Sequence, residues 1–456
     1  MSAQAYPIAA IATHLGRSGI GVVRMSGERC MELAGAVFHL RGEKPLTSLR
    51  DRALALGTLY DRGGRPIDEG MVFVSRAPHS YTGEDTVEFQ LHGSPAVLSA
   101  ALDALFAAGF RPAGPGEFTK RAFLNGRMDL TQAEAVIDLI DAETTDAAAN
   151  AAGQIAGAMR VRLEPIYDGL TDICSHFHAV LDYPDEDIEP FELQSFADTL
   201  REDRRQLRTL LSSCERGNLM KNGIRAVLLG SPNAGKSSLL NCLAGFDRVI
   251  VTEIPGTTRD CVAESVCIGS HLLRLTDTAG IRDSADPIEK LGVERSLSAA
   301  QSCDLALFVV DGARPLSEED RAAMNAALDA PEAVALVNKQ DLGCVIQPSE
   351  LPFSYVVPIS AKTGEGVELL RQALDMIFDA SAPCDGAIVT NARQADAIRR
   401  AEQALASALD AMNAGVTPDA VLTDVEYAMQ SIGEVTGRIV REDITNRIFS
   451  RFCVGK

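Results

Sequence analysis

The sequence predicts a multidomain chain of α/β and all-α parts: an N-terminal α/β domain, a helical domain in two pieces, and a second α/β domain inserted between those pieces. Three observations point to this. The 456 residues suffice for about three domains at roughly 150 residues each. The apolar pattern changes type along the chain, from short β-prone runs to helical stripes, then to fully apolar strands alternating with helices, and back to helical stripes. The charge is uneven as well: of a net −20, residues 119–221 hold −8 and 222–383 hold −9, whereas 1–118 hold −1 and 384–456 hold −2.

Within residues 1–118, Ile20–Met25 and Gly70–Val74 are β-prone runs bounded by Gly and polar residues. Pro112, Gly114, Pro115 and Gly116 then break the chain and mark the first boundary. In the helical piece 119–221, Ala133, Val136, Ile137 and Ile140 fall at i, i+3, i+4 and i+7 and predict one apolar stripe. Asp185–Asp187, between Pro184 and Pro190, reads as a solvated acidic loop. Over 222–383, Ala226–Leu229, Leu305–Val310 and Val334–Val337 are continuous apolar runs, as strands of a parallel sheet covered on both faces require. Residues 384–456 return to helical periodicity.

Composition excludes several classes. A net charge of −20 argues against a protein that coats nucleic acid non-specifically, although residues 438–456 are locally basic at +3. No apolar run approaches the roughly 20 residues that span a bilayer, and the N-terminus, whose first basic residue is Arg17, lacks a signal-peptide pattern. The ten Cys include no Cys-x-x-Cys pair, which fits free thiols in a reducing cytosol. The expectation is a cytoplasmic protein without a membrane role.

The segment Gly230-Ser231-Pro232-Asn233-Ala234-Gly235-Lys236-Ser237 matches the P-loop pattern, between a predicted strand and a predicted helix. Its backbone N–H groups and the helix N-terminus, with Ala234 and Ser238 in the same turn, suit phosphates. Lys236 would neutralise the β- and γ-phosphates and the Ser237 hydroxyl would bind Mg²⁺. Further motifs follow in order: Thr252-Glu253-Ile254-Pro255-Gly256-Thr257-Thr258, with a switch threonine for Mg²⁺ at Thr258; Asp277-Thr278-Ala279-Gly280 after the strand-like His271–Leu275; Asn338-Lys339-Gln340-Asp341; and Ser360-Ala361-Lys362. Asp341 can accept from guanine N1–H and its exocyclic amine together, a donor pair adenine lacks. The set predicts a GTP site.

The residue after Gly280 is Ile281, which cannot orient a water as a glutamine there would. Asp283, Asp286 and Glu289 are the nearby carboxylates, and Arg282 and Arg295 the nearby cations.

On these residues, together with Gly19–Arg24, Tyr81-Thr82-Gly83-Glu84-Asp85, Gly116–Gly126, Asp129–Ala135 and Phe452–Lys456, the whole chain resembles the MnmE (TrmE) family of tRNA-modification GTPases. The resemblance implies an N-terminal tetrahydrofolate-binding and dimerisation domain, a discontinuous helical domain and an inserted Ras-like P-loop G domain. It implies a homodimer that forms a heterotetramer with the flavoprotein MnmG and acts on tRNA. The pair would place an aminomethyl or carboxymethylaminomethyl group at C5 of the wobble uridine, with a tetrahydrofolate derivative as carbon donor.

The resemblance also implies that K⁺ replaces an arginine finger as the G domains pair. Asn233, Thr252, Ile254 (through its carbonyl) and Thr257 match its ligands, and Glu289 matches the carboxylate that orients the water. Arg24, Glu84, Arg127 and Lys456 match folate contacts, with arginine at 127 where a lysine is expected. Cys453 stands near them in the motif as either a nucleophile or a packed apolar side chain. His176 and His178 point apart on a helix and do not form a metal pair. The competing reading is a non-catalytic GTP switch that scaffolds RNA or ribosome assembly.

Overall fold

The computed structural model describes residues 6–42, 44–182, 193–246, 264–276, 303–378, 386–439 and 442–456. The chain divides into two compact units. One holds Met1–Ile137, Ile155–Arg160 and Met429–Lys456; the other holds Asp138–Gln154 and Val161–Ala428.

The first unit is built on β1 (Ile8–Ile11), β2 (Ser18–Ser26), β3 (Phe38–Leu40), β4 (Leu54–Tyr60), β5 (Pro66–Ser75), β6 (Thr86–Gly93) and β7 (Arg111–Pro112). They form one sheet in the order β3-β4-β5-β6-β2-β1-β7, antiparallel except for the β1–β7 pair. Alternation sorts its two faces. Val23, Met25, Val72, Val74, Val87 and Phe89 bury one face against α1 (Cys30–Gly35) and α2 (Pro95–Ala108). On the other face Ile8 and Ala10 pack with Phe118 of α3 (Glu117–Leu124), and Arg24 and Ser26 point the same way. Helix α4 (Leu130–Ile140) carries the predicted stripe: Ala133 is buried, Val136 and Ile137 are half-buried, and Ile140 is exposed, so the stripe ends one turn early.

The second unit combines helices with a second sheet. The helices before the sheet are α5 (Thr145–Ile155), α6 (Ala158–Asp182), α7 (Leu193–Ser212) and α8 (Cys214–Asn222). Next come β8 (Ile224–Leu229), α9 (Lys236–Phe246), β9 (Glu264–Ile268), β10 (His271–Thr276), β11 (Leu305–Asp311), α10 (Glu318–Leu328), β12 (Glu332–Asn338), β13 (Tyr355–Pro358) and α11 (Val367–Ile377). The sheet order is β13-β12-β11-β8-β10-β9, and every pair but β9–β10 is parallel. Every residue of β11 is buried, as a strand covered on both faces requires. This is the expected Ras-like P-loop architecture inserted in a helical domain.

Beyond the sheet, α12 (Ala392–Asn413) and α13 (Pro418–Thr436) resume the helical part. The segment leading into α12 is tied to helices that precede the sheet. The Ile388 carbonyl accepts from Asn150 Nδ2 at 3.2 Å and from Gln154 Nε2 at 2.7 Å, and the Val389 N–H donates to Ser213 Oγ at 3.1 Å. Arg204 of α7 pairs with Glu402 of α12 at 2.8 Å. Within this unit, helices before the sheet and helices after it thus pack together. His178 bonds Glu426 at 2.9 Å and His176 lies edge-on to Phe196; among the described residues no group of three or more His, Cys, Asp or Glu could hold a metal ion.

The last helix, α14 (Glu442–Phe449), returns to the first unit. Phe449 and Phe452 bury against Ala133, and Val454 pairs with Pro115 as an antiparallel bridge. The Gly116 N–H donates to the Cys453 carbonyl at 3.3 Å and the Phe118 N–H to the main-chain oxygen of Lys456 at 3.2 Å. Gly116 has a φ of 62°, and a Cβ there would sit 2.8 Å from the Phe449 carbonyl. The Gly/Pro break of the sequence is the seat of the C-terminal tail. No helix among the described residues is long and apolar enough to cross a membrane.

Candidate functional site

The loop between β8 and α9 begins at the buried Ser231 and turns at Asn233, whose φ of 63° is left-handed. Asn is among the few side chains that adopt this conformation readily. Asn233, Ser237 and Ser238 are exposed, and Ala234 is buried beneath them. Lys236 Nζ donates to the carbonyls of Gly230 and Ser231 at 2.7 and 2.9 Å. The ammonium thus rests on the loop's own oxygens at the N-terminus of α9, the position from which it would reach phosphates.

The base-reading motifs join this loop through one side chain. Asn338, at the end of β12, is 2% exposed; its Nδ2 donates to the Ala234 carbonyl at 2.9 Å and its Oδ1 accepts from the Ala361 N–H at 2.9 Å. A Cβ on Gly235 would lie 2.2 Å from Asn338 Nδ2, so only glycine admits this contact. Asp341 accepts from Ser360 Oγ at 2.8 Å, which fixes one carboxylate oxygen. Lys339, also left-handed at φ 65°, pairs with Asp311 at 2.7 Å, and Lys362 is exposed. Burial pushes the Asp311 carboxyl up, but the Lys339 ammonium, the Ala313 N–H and Arg314 outweigh it and hold the group below the ordinary carboxylate range.

A support under the loop escaped the sequence reading. Arg314 Nη2 donates to Ser231 Oγ at 2.9 Å while Nη1 pairs with the fully buried Asp320 at 2.7 Å. Asp320 also accepts from the Ser317 N–H that caps α10. Burial raises the Asp320 carboxyl; hydrogen bonds from Ser231, Ser317 and Arg314 more than reverse this. The only available signal was Ser317-Glu318-Glu319-Asp320, a capping box with Asp in place of Glu.

Thr252, Glu253, Ile254, Pro255, Gly256, Thr257, Thr258, Asp277, Thr278, Ala279, Gly280 and Glu289 lie outside the described residues, as do Ile281, Arg282, Asp283, Asp286, Arg295 and the Asp185–Asp187 run. Strand β10, which pairs in parallel with β8, ends at Thr276, one residue before Asp277.

A second cluster lies in the first unit, on the sheet face that carries Arg24 and Ser26. Arg24 Nε pairs with Glu88 at 2.7 Å, Nη1 donates to the Gly455 carbonyl at 3.5 Å, and the guanidinium lies 5.6 Å from the Tyr81 ring centroid and 5.8 Å from that of Phe118. Glu84 accepts from Ser26 Oγ at 2.7 Å and from Arg121 Nη1 at 2.9 Å. Arg127 Nε donates to the Ser80 carbonyl at 3.1 Å. Lys456 is half-buried; burial and then Arg24 push its ammonium below the usual lysine value, with Glu88 and Cys453 opposing. Arg24 and Lys456 thus share Glu88 as a partner, and Arg127 braces the Ser80–Glu84 loop that carries Glu84. Cys453 is exposed on the docked C-terminal tail.

Sequence reasoning missed Arg121. It is 2% exposed and grips Glu84, Glu117 at 3.0 Å and the Tyr6 carbonyl at 2.9 Å, leaving its buried Nε without a hydrogen-bond partner. Burial raises the Glu117 carboxyl, but Arg111, the Gly114 N–H and Arg121 hold it below the usual range. These side chains are of the types that would suit a fused-ring heterocycle with an acidic tail: an acceptor carboxylate at Glu84, the Tyr81 ring, and cations at Arg24 and Lys456.

A family model described as the GTP-binding protein TrmE N-terminus matches residues 7–127, and one described as the MnmE helical domain matches 130–453. The tRNA modification GTPase MnmE of Roseiflexus castenholzii is 42% identical over 467 residues, covering 98% of this chain and 99% of that protein. That of Symbiobacterium thermophilum is 42% identical over 456 residues with the same coverage. That of Thermus thermophilus is 41% identical over 452 residues, covering 99% of each. With both parts matched and such identity along nearly the full length of chain and relatives alike, the chain belongs to the MnmE (TrmE) family of tRNA-modification GTPases.

Proposed function

We propose that this GTPase acts in tRNA modification with the flavoprotein MnmG, adding an aminomethyl or carboxymethylaminomethyl group at C5 of the wobble uridine. The observation that carries the nucleotide part is Asn338, which joins the P-loop to the loop facing guanine, beside an Asp341 already oriented by Ser360. Asn233, Ala234, Gly235, Lys236, Ser237 and Ser238 would hold the phosphates, and Asn338, Lys339, Asp341, Ser360, Ala361 and Lys362 the base. Mg²⁺ would be held by Ser237 with Thr258, and would offset charge on the β- and γ-phosphates. K⁺ would be held by Asn233 with Thr252, Ile254 and Thr257. Glu289 would orient the attacking water.

In the first unit Arg24, Glu84, Arg127 and Lys456 would hold a tetrahydrofolate derivative. Cys453 is exposed beside Lys456, the placement a nucleophilic thiol needs. The chain would work in the cytoplasm as a homodimer within a heterotetramer. Titration calorimetry of the full chain with tetrahydrofolate tests the one-carbon part. Saturable binding weakened at least tenfold by Arg24→Ala is expected; no binding heat would favour a GTP switch without its own chemistry.

A further inference from the structure

The acidic helical part carries one face of opposite sign. On α7, Arg201, Arg204, Arg205 and Arg208 fall at i, i+3, i+4 and i+7 and line an open groove of about 410 Å³ with Thr209, Ser212 and Leu409 of α12. Leu200, Leu207 and Leu210 of α7 are buried, whereas Arg201, Arg205 and Arg208 are exposed and Arg204, at the edge of the packed side, is half-buried. Arg201, Arg205 and Arg208 set three exposed guanidiniums within about 10 Å of helix axis, while Arg204 beside them also ties α7 to α12 through Glu402.

Three of the four arginines have carboxylate neighbours: Asp198 for Arg201, Glu202 for Arg205 and Glu402 for Arg204. The first two pairs are exposed and water-screened, so each holds its arginine weakly. A guanidinium has five N–H donors, and one carboxylate leaves several of them available. Arg208 is exposed and has no ion pair among the described residues.

We propose that this arginine face of α7 docks the phosphodiester backbone of RNA. The inference rests on the reading of the chain as a tRNA-modification enzyme and names where the RNA touches it. Successive arginines on such a stripe stand about 5–6 Å apart, of the order of the step between neighbouring phosphates, and guanidinium forks suit phosphate oxygens. A groove lined by a straight row of cations matches a regularly charged strand better than a compact acidic protein surface. The contacts are to backbone only, so they position RNA without reading sequence.

The test is tRNA binding to the full-length chain by fluorescence anisotropy between about 50 and 200 mM KCl. In Arg205→Glu/Arg208→Glu, Kd should rise at least tenfold, and the slope of log K against log salt should fall by roughly 1–2. The reversal Arg321→Glu, on α10, should leave both unchanged, Arg208→Glu alone, which changes the charge by the same amount, should weaken binding, and circular dichroism checks that each variant is folded. Unchanged affinity and slope in the double variant, with wild type binding, would overturn this surface alone. Loss of MnmG capture with tRNA binding intact would overturn it in favour of a protein interface. No tRNA binding by wild type, with or without MnmG, would overturn both the surface and the tRNA reading.

Discussion

Asn338 donates its side-chain amide to the Ala234 carbonyl at 2.9 Å, tying the end of β12 to the turn of the P-loop. The same side chain accepts from the Ala361 N–H, so the phosphate loop and the guanine loop share one buried amide. Asn338→Ala removes both bonds and leaves the buried Ala234 carbonyl unpaired, a cost of about 1–3 kcal/mol, with a smaller loss at the part-buried Ala361 N–H. Thermal unfolding should show the G domain destabilised, and a fluorescent-nucleotide titration should show GTP and GDP affinity falling together.

Asp341 should decide base identity. Ser360 holds one carboxylate oxygen, and on the proposed reading the carboxylate would accept from guanine. In Asp341→Asn the amide oxygen can keep the Ser360 bond, but the amine turns an acceptor toward guanine's donors into a donor. GTP affinity should fall at least tenfold and that for xanthosine triphosphate, which offers an acceptor instead, should rise. An unchanged GTP/XTP ratio would show that Asp341 does not face the base.

The potassium proposal predicts that GTP turnover is several-fold faster in KCl than in NaCl, and that Asn233→Ala erases the difference. Equal wild-type rates in the two salts would contradict it. Glu289→Ala should cut turnover while nucleotide affinity stays near wild type; loss of affinity would mean that the carboxylate is structural.

Asp203 on α7 is 7% exposed with Oδ2 unpaired; burial, then Glu202, raises its carboxyl to about 7. A carboxyl whose folded pKa is raised binds its proton more tightly in the folded state. Its contribution to stability is full below the unfolded value of 3.8 and is lost as pH rises to about 7. Asp203→Ala should therefore flatten the decline in Tm across that window, whatever constant offset the cavity adds. A parallel pair of Tm–pH curves would show that the group does not titrate there.

The phosphate and base loops were legible in the sequence because each is a short run of side chains beside an apolar strand, and the strand places the run. The parallel sheet was legible because both faces of β8, β11 and β12 had to be apolar. The supports were not. Arg121 reads as one more cation in Lys120-Arg121, and only the docking of α3 against the Tyr81–Glu84 loop buries it between two carboxylates. Arg314 and Asp320 meet Ser231 across some 85 residues of chain. The seat of Val454 on Pro115 joins residues from opposite ends of the sequence, and local periodicity carries no trace of it.

The most direct test is nucleoside mass spectrometry of bulk tRNA from cells lacking this chain, complemented with wild type, Lys236→Ala or Arg24→Ala. Loss of the C5-aminomethyl-type wobble uridines, restored by wild type and by neither variant, is the predicted result. Full modification in the deletion strain, or in the strain carrying Lys236→Ala, would contradict the proposal that GTP hydrolysis on this chain drives wobble-uridine modification.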